Sequence, residues 1–160
     1  DTGLTILRLQ NVYGPGQSLI NSYTGIVSLF SQWAREGKTI PVYEDGQIVR
    51  DFVFIDDVVS AFVAASGRQP KKNDVPFDIG VGGVATILDA ATFIASYYSA
   101  PAPEITGAFR DGDVRHASCD IELSKTELSW IPQWSVERGL SALQEWIGAQ
   151  IEAGEPHITS

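Results

Sequence analysis

The chain has 160 residues, 44% of them hydrophobic, and a formal net charge of −9 at pH 7. This length suits one domain with a real core, and no apolar run approaches the ~18 residues of a membrane span. The acidic balance argues against nucleic acid or an anionic membrane as a partner, because both need a basic surface. The single cysteine excludes an internal disulfide and favours a cytoplasmic location. Two histidines and one cysteine, widely spaced, predict no metal site.

The first predicted element is a strand formed by the nearly unbroken apolar run at residues 4–9. Such a run is typical of a strand buried on both faces, as in parallel sheets. Asn11 and Tyr13 follow at its carboxyl end, which is where open α/β sheets bind ligands. Because a parallel strand cannot satisfy its backbone alone, the opening residues predict the second half of a larger protein.

The next stretch alternates helix and strand signals. Apolar side chains recur at helical spacing over residues 26–33. A short strand at 40–43 ends in Glu-Asp-Gly at 44–46, which predicts a hairpin to a return strand at 49–55. The acidic pair at 56–57 then begins a helix whose apolar face carries Val58, Val59, Phe62 and Val63. Acidic residues in a first turn meet unpaired N–H groups and the helix dipole, so that role is expected for the pair.

The second half continues with further α/β elements. They are a strand at 77–80, a helix capped by Thr86 that reaches about Tyr98, a strand at 104–109, and helices near 121–128 and at 136–151. The three glycines within 80–83 lack a following lysine and the spacing of a dinucleotide fingerprint, so a tight strand-to-helix turn is predicted there. Residues 110–116 form the densest polar cluster of the chain.

Three stretches of this sequence resemble one enzyme family, in order and at matching spacing. They are LRLQNVYGPGQ at 7–17, VYEDGQIVRDFVFIDDVV at 42–59 and RDGDVRH at 110–116. They resemble the carboxyl-terminal half of the extended short-chain dehydrogenase/reductases, the NAD-dependent nucleotide-sugar epimerases and dehydratases. Residues 16–26 resemble most the branch that contains the dTDP-L-rhamnose and UDP-glucose 4-epimerases.

The resemblance implies an α/β fold that combines the last strands of a Rossmann-type parallel sheet with a small mixed α/β substrate-binding domain. Residues 1–15 and about 76–98 would contribute to the edge of the Rossmann fold. The substrate domain would consist of residues from about 16 to 75 and from 99 to 153. Residues 154–160 would form a tail. The NAD-binding amino-terminal portion would lie outside this chain.

The resemblance also implies the activity of a parent enzyme. That enzyme would bind NAD, oxidise C4 of a nucleotide sugar to a 4-keto intermediate and return the hydride on the other face. This chain has neither the Gly-x-x-Gly-x-x-Gly loop nor the Tyr-x-x-x-Lys pair of the family, so it is expected to contain no catalytic residue and to be inactive alone. The parent is a candidate homodimer. A 4,6-dehydratase, a non-catalytic nucleotide-sugar-binding module and a remnant that binds nothing remain as alternatives.

By resemblance, seven residues would grip the nucleoside-diphosphate sugar. Asn11 would bind the diphosphate-sugar region, Arg50 and Arg110 the phosphates, and Asp113 a ribose hydroxyl, while Ile40, Val42 and Tyr43 would wall the base. Guanidinium groups suit this role because each can make bidentate, charge-assisted contacts to a diphosphate. Structural roles compete with two of these assignments, namely a turn position for Asn11 and an ion pair with Asp51 for Arg50. For Arg115, in the same polar cluster, pairing with Asp111 or Asp120 competes with a ligand contact.

Overall fold

The computed structural model describes residues 4–18, 25–71 and 75–154. Within these ranges the helices are α1 (Ile26–Arg35), α2 (Ile55–Ser66), α3 (Ile87–Tyr97), α4 (Glu122–Leu128) and α5 (Val136–Glu152). The strands are β1 (Leu7–Leu9), β2 (Asn11–Tyr13), β3 (Pro41–Val42), β4 (Val49–Arg50), β5 (Phe52–Phe54), β6 (Phe77–Ile79), β7 (Ala85–Thr86), β8 (Glu104–Ile105) and β9 (His116–Ala117). This mixed α/β architecture with mainly parallel strands confirms the predicted fold class.

The strands pair in four small sheets. β1 pairs with β6, β2 with β5 and β3 with β8, all in parallel. β4 lies between antiparallel β7 and parallel β9. The chain passes from the first sheet to the second at Gln10, whose N–H donates to the carbonyl of Ile79 at 2.9 Å, while the next N–H, of Asn11, donates to the carbonyl of Asp51 at 3.0 Å. The opening segment thus passes from the β1–β6 sheet to the β2–β5 sheet, which contributes to the main core cluster.

The prediction of a first strand buried on both faces is wrong. β1 covers only Leu7–Leu9, and Leu4 and Ile6 are 69% and 47% exposed. Among the described residues β1 pairs only with β6, and within β1 Leu7 is partly buried against the smaller core cluster while Arg8 and Leu9 are exposed. Tyr13 belongs to β2, and its ring packs edge-on against Phe52 and Phe54 in the core, while the residue also lines the cavity that Asn11 borders.

The predicted hairpin at 44–46 is wrong as well. β3 and β4 do not pair with each other, and the backbone that follows the turn bonds to the start of α3 instead. The N–H of Leu88 donates to the Gly46 carbonyl at 3.2 Å, and that of Ile87 to the Ile48 carbonyl at 2.9 Å. The turn therefore connects β3, which pairs with β8, to β4, which pairs with β7 and β9. The predicted return strand likewise divides at Asp51 into β4 and β5.

Most of the core lies where α1, α3 and α5 pack together on the β2–β5 sheet. Helical spacing predicts five inward residues on α5. Leu140, Leu143 and Ile147 are buried there, and Val136 and Ile151 are partly buried against the same cluster. Thr86 caps α3 as predicted, with a capping box in which Thr86 and Asp89 satisfy each other's backbone N–H groups. A second, smaller core cluster contains Trp130.

α2 turns its apolar side chains in two directions, which corrects the predicted single buried face. Val58 and Ala61 pack into the smaller core cluster, and Asp57 beside them is also buried. The next positions around the helix point away, so that Val59, Phe62 and Val63 are 54%, 53% and 67% exposed. Within the part of the chain that the structure describes, no helix combines the length and the apolar character needed to cross a membrane.

Asp57 lies in the first turn of α2, as predicted, and also joins distant parts of the chain. Its two carboxylate oxygens accept hydrogen bonds from the N–H groups of Gln133 at 2.8 Å and Trp134 at 3.0 Å. The carboxylate thus fixes the segment before α5 against α2. Residues 17–23, whose polar and turn-rich sequence predicts a loop, lie mostly outside the described residues, and the predicted tail at 154–160 lies almost entirely outside them. The division of the chain into a sheet-edge part and a substrate part stays a prediction.

Candidate functional site

A cavity of about 740 Å³ opens between β2, α1, β4 and the loop that follows β8. Its lining has a polar side and an apolar side. The polar side includes Asn11, Gln17, Arg50, Arg110 and Asp113, and the apolar side includes Phe30, Trp33, Tyr43, Ile48 and Phe52. A concave site of this size, mainly apolar with a few convergent polar groups, has the form of a small-molecule binding site.

Four predicted polar residues therefore line one cavity although they lie far apart in the sequence. Asn11 begins β2, Arg50 ends β4, and Arg110 and Asp113 lie in the loop between β8 and β9. The parallel pairing of β4 with β9 brings that loop beside β4. The loop leads directly into β9, whose His116 and Ala117 pair in register with Val49 and Arg50. Their roles in binding stay predictions, and the fold supplies the proximity that those roles require.

The guanidinium of Arg50 is held by three oxygen atoms. Nη1 donates to the carbonyls of Val114 at 2.5 Å and Val49 at 2.9 Å, and Nη2 lies 2.7 Å from Asp113 Oδ1. The side chain is only 15% exposed. The pairing of Arg50 with its neighbour Asp51, considered from the sequence, is not observed. Arg50 is instead held in one orientation at the wall of the cavity.

Asp51 is fully buried and binds backbone N–H groups. Its carboxylate accepts from Val81 N–H at 2.7 Å and from Gly82 N–H at 3.2 Å. These contacts hold the glycine segment in place, and it leads from β6 to the short strand β7 before α3 begins, where a direct strand-to-helix turn was predicted. The same contacts test whether the turn fits the pyrophosphate of NAD, which in dinucleotide sites is bound by free N–H groups. Since the protein's own carboxylate occupies those N–H groups, this chain does not form a dinucleotide cradle here.

The residues predicted to wall the base divide between the cavity and the core. Tyr43 lines the cavity, and the guanidinium carbon of Arg110 lies 5.7 Å from the centre of its ring. Ile40 and Val42 differ from the prediction, because both are fully buried in the core and neither lines the cavity. Alternation along an extended segment explains the difference, since Pro41 and Tyr43 face the cavity while their neighbours face inward.

Several lining residues were missed by sequence reasoning. Trp33 lies on α1 and was noted only for its helical spacing, and Ile48 and Phe52 flank Arg50 on either side. The available signal was alternation along the extended segment, because the residues two positions before and after Arg50 share its side of the chain. Arg115 also differs from expectation, because it pairs with Glu44 and Asp45. In the described ranges no group of three or more His, Cys, Asp or Glu residues could hold a metal ion.

Comparison with known proteins supplies the family. Residues 1–80 match the Epimerase family, described as the NAD dependent epimerase/dehydratase family. The chain is 60% identical over 151 residues to the dTDP-L-rhamnose 4-epimerase of Burkholderia thailandensis, a match that covers 94% of this chain and 41% of that protein. The chain thus spans less than half the length of this relative.

Solved structures show the same relationship. The UDP-glucose 4-epimerase of Thermotoga maritima, crystallised with UDP-glucose, matches with a TM-score of 0.82 at 31% identity, over 92% of this chain and 46% of that one. The UDP-glucuronic acid 4-epimerase of Bacillus cereus, in complex with UDP-glucuronic acid and NAD, matches with a TM-score of 0.75 at 28% identity, over 91% of this chain and 45% of that one. Fold, motifs and sequence agree: this chain belongs to the NAD-dependent epimerase/dehydratase family.

Proposed function

We propose that this chain is the nucleotide-sugar-binding portion of an NAD-dependent nucleotide-sugar 4-epimerase. The reaction would oxidise C4 of the sugar to a 4-keto intermediate and reduce it again on the other face. The observation that carries the proposal is the convergence of Arg50, Arg110 and Asp113 on one cavity with an aromatic wall. The 60% identity to a dTDP-L-rhamnose 4-epimerase supports this reaction class over the alternatives.

The two arginines suit the diphosphate of such a ligand. Arg50 is oriented before any ligand arrives, because Val49, Val114 and Asp113 fix its guanidinium. Two guanidiniums on one cavity wall can each make charge-assisted contacts to a diphosphate. Because the chain as a whole carries a net charge of −9, anion binding has to depend on such placed cations and not on the overall field.

Asp113 and Tyr43 would hold the nucleoside. One carboxylate oxygen of Asp113 pairs with Arg50, and the second would accept a hydrogen bond from a ribose hydroxyl. The face of Tyr43 offers an apolar surface for the base, next to the guanidinium of Arg110. Asn11, exposed at the start of β2, would contact the region where diphosphate and sugar join.

In this proposal the chain contributes binding and positioning, not proton or hydride transfer. Holding a reacting carbon in a productive geometry lowers a reaction barrier by several kcal/mol in favourable cases. NAD and the acid–base residues would come from the remaining portion of a cytoplasmic parent enzyme, a candidate homodimer. A 4,6-dehydratase would differ only in those acid–base residues, and a non-catalytic binding module would lack them.

Thermal denaturation of the 160-residue chain with dTDP, UDP, GDP and NAD in turn tests the proposal. We expect one nucleoside diphosphate to raise the midpoint and NAD to leave it unchanged, because a ligand that binds only the folded state stabilises it by about 2.7 kcal/mol at a concentration of 100 Kd. Arg110→Ala should abolish the shift. Lys38→Ala is the matched control, because Lys38 pairs with Glu36 outside the cavity lining.

Two outcomes would contradict the proposal. One is the absence of a midpoint shift with every nucleoside diphosphate. The other is a shift of equal size in the unmodified chain and in Arg110→Ala, which would mean that the ligand binds outside the cavity. A shift produced by NAD alone would assign the chain to cofactor binding instead.

A further inference from the structure

The loop between β8 and β9, residues 106–115, carries two of the proposed ligand contacts and lies exposed along the mouth of the cavity. We call this loop the strap. Backbone hydrogen bonds tie its two ends to residues 42–49. The Thr106 N–H donates to the Val42 carbonyl at 2.9 Å, and the Val49 N–H donates to the Arg115 carbonyl at 2.9 Å. Between these ends, Glu44 N–H donates to Ala108 at 2.7 Å. The strap is therefore long and exposed, and besides these backbone bonds it is held by Arg50, which donates to the Val114 carbonyl and to the Asp113 carboxylate.

Arg115 adds a side-chain tie near the end of the strap. Its Nη1 lies 2.6 Å from Glu44 Oε2, and its Nη2 lies 2.5 Å from Asp45 Oδ2. The two terminal nitrogens of one guanidinium thus hold two consecutive carboxylates across 70 residues of sequence. A lysine, with a single ammonium group, does not reproduce this planar fork.

The position of this fork relates it to the cavity. Arg115 itself does not line the cavity, but Glu44 directly follows Tyr43, the aromatic wall residue. On the other side of the fork, the strap carries Arg110 and Asp113. The guanidinium of Arg110 lies over the Tyr43 ring, with 5.7 Å between its carbon and the ring centre. The fork consequently joins the two sides of the cavity mouth.

The charge state of the fork is stable near neutral pH. The hydrogen bond from Arg115 lowers the pKa of the Asp45 carboxyl below its usual range, and this bond also raises the pKa of the guanidinium. Both partners are fully ionised around pH 7. Most single surface ion pairs contribute little to folding stability. A contribution of this pair would therefore appear in the geometry of the mouth more than in the free energy of unfolding.

We propose that Arg115 is a positioning residue for nucleotide binding, which holds the strap against the Glu44–Asp45 turn so that Arg110 and Asp113 face the Tyr43 wall. This inference rests on the proposed function, because it assumes that the cavity binds a nucleoside diphosphate. It assigns Arg115 no contact with the ligand. Its alternative is a simple charge effect, in which Arg115 only neutralises two carboxylates near an anion site.

Two variants of the fork separate these explanations. Arg115→Ala breaks the fork and leaves two negative charges unpaired. Glu44→Ala/Asp45→Asn breaks the fork from the other side but removes those two negative charges. A positioning role predicts weaker nucleotide binding in both variants, whereas a charge effect predicts weaker binding in the first and tighter binding in the second. Arg8→Ala is the matched control, because Arg8 also holds a carboxylate with two nitrogens, that of Asp78, and does not line the cavity.

The affinities of dTDP and UDP for the 160-residue chain would be measured by calorimetry, and amide hydrogen exchange would be followed at Glu44 and Asp113 without ligand. Both amides donate to strap carbonyls, Glu44 N–H to Ala108 and Asp113 N–H to Arg110. We expect both fork variants to weaken the binding of the tighter probe at least tenfold. Exchange should be faster at both amides in Arg115→Ala and at Asp113 in Glu44→Ala/Asp45→Asn, where residue 44 itself is replaced. The control should change neither.

The outcomes distinguish this inference from the proposed function. If the unmodified chain binds a probe and Arg115→Ala binds it within twofold, Arg115 has no positioning role. Tighter binding in Glu44→Ala/Asp45→Asn overturns the inference in favour of a charge effect. If the unmodified chain binds neither probe, the proposed function fails, and exchange alone decides the placement of the strap: unchanged exchange at Asp113 in Arg115→Ala overturns it, and faster exchange supports it.

Discussion

Arg50 Nη2 and Asp113 Oδ1 lie 2.7 Å apart at the wall of the cavity, although 63 residues separate them in the chain. The pair joins the end of β4 to the strap, and the Val114 carbonyl receives a second hydrogen bond from the same guanidinium at 2.5 Å. An arginine held this way needs little reordering to meet an anionic ligand. Preorganisation of this kind lowers the entropic cost of binding.

Replacement of Arg50 should weaken nucleoside-diphosphate binding. Arg50→Ala removes a charge-assisted contact, for which about 1.5–3 kcal/mol is typical, and this corresponds to a loss of roughly tenfold or more. Arg50→Lys should recover only part of the affinity, because one ammonium cannot reach Asp113 and two carbonyls together. Calorimetric titration measures both effects. Equal affinity in Arg50→Ala and the unmodified chain would remove Arg50 from the site.

Replacement of Asp57 should destabilise the fold without affecting the cavity directly. In Asp57→Ala the partly buried N–H groups of Gln133 and Trp134 lose their acceptor, which should cost about 1–3 kcal/mol. The neighbouring Asp56→Ala is the control, because Asp56 is exposed in the same helical turn and should cost less than about 1 kcal/mol. Urea denaturation followed by circular dichroism measures both. Similar midpoints for the two variants would show that the Asp57 contacts are energetically unimportant.

Two glycine-to-alanine changes should have opposite signs. A Cβ on Gly80 would lie 2.5 Å from Asp51 Oδ2 and 2.7 Å from Cys119 Sγ, so Gly80→Ala should destabilise the chain by about 1–3 kcal/mol. Gly148 lies inside α5, and the position that a Cβ would occupy there has no neighbour within 4 Å, so Gly148→Ala should stabilise by about 0.5–1 kcal/mol. Thermal midpoints of the two variants, compared with the unmodified chain, test this difference. A destabilised Gly148→Ala or an unchanged Gly80→Ala would contradict it.

The Cys119 thiol should react slowly in the folded chain. Burial, together with the charge of Asp51, raises its pKa to about 12. An ordinary thiol has a pKa of about 8.5, so the neutral form is favoured by folding, and the stability it contributes is fully present below about pH 8.5 and is lost as the pH rises through the folded value. Alkylation at pH 8 should accelerate on addition of urea. Equally fast alkylation of the folded and unfolded chains would refute the raised pKa.

The exposed apolar face of α2 should promote self-association of this chain. Val59, Phe62 and Val63 share that face, and contiguous exposed apolar surface commonly associates with other protein surface. Phe62→Glu should lower the associated fraction in sedimentation measurements and change the free energy of unfolding by less than about 0.5 kcal/mol. Val58→Ala, at a buried position of the same helix, should instead lower the unfolding free energy by about 1–3 kcal/mol. Unchanged association in Phe62→Glu would contradict the role of the face.

Local patterns were sufficient for the elements whose signals lie within a few residues. The helix cap at Thr86 and the periodicity of α5 appear in the structure as predicted. Both features depend on neighbours in sequence, since a cap and a helical face are set by residues a few positions apart. The predicted hairpin at 44–46 failed because the carbonyls of Gly46 and Ile48 are taken by the start of α3, far along the chain.

The sequence by itself determined the fold class, the family resemblance and the residue types able to hold a diphosphate, because motifs and periodicity are properties of the chain alone. Only the tertiary structure decided which of those residues meet. It placed Asp113 on Arg50, Arg115 on Glu44 and Asp45, and Ile40 and Val42 in the core. The physical reason is that an ion pair or a cavity wall depends on distances in space, and parallel strand pairing brings together segments that the sequence separates by dozens of residues.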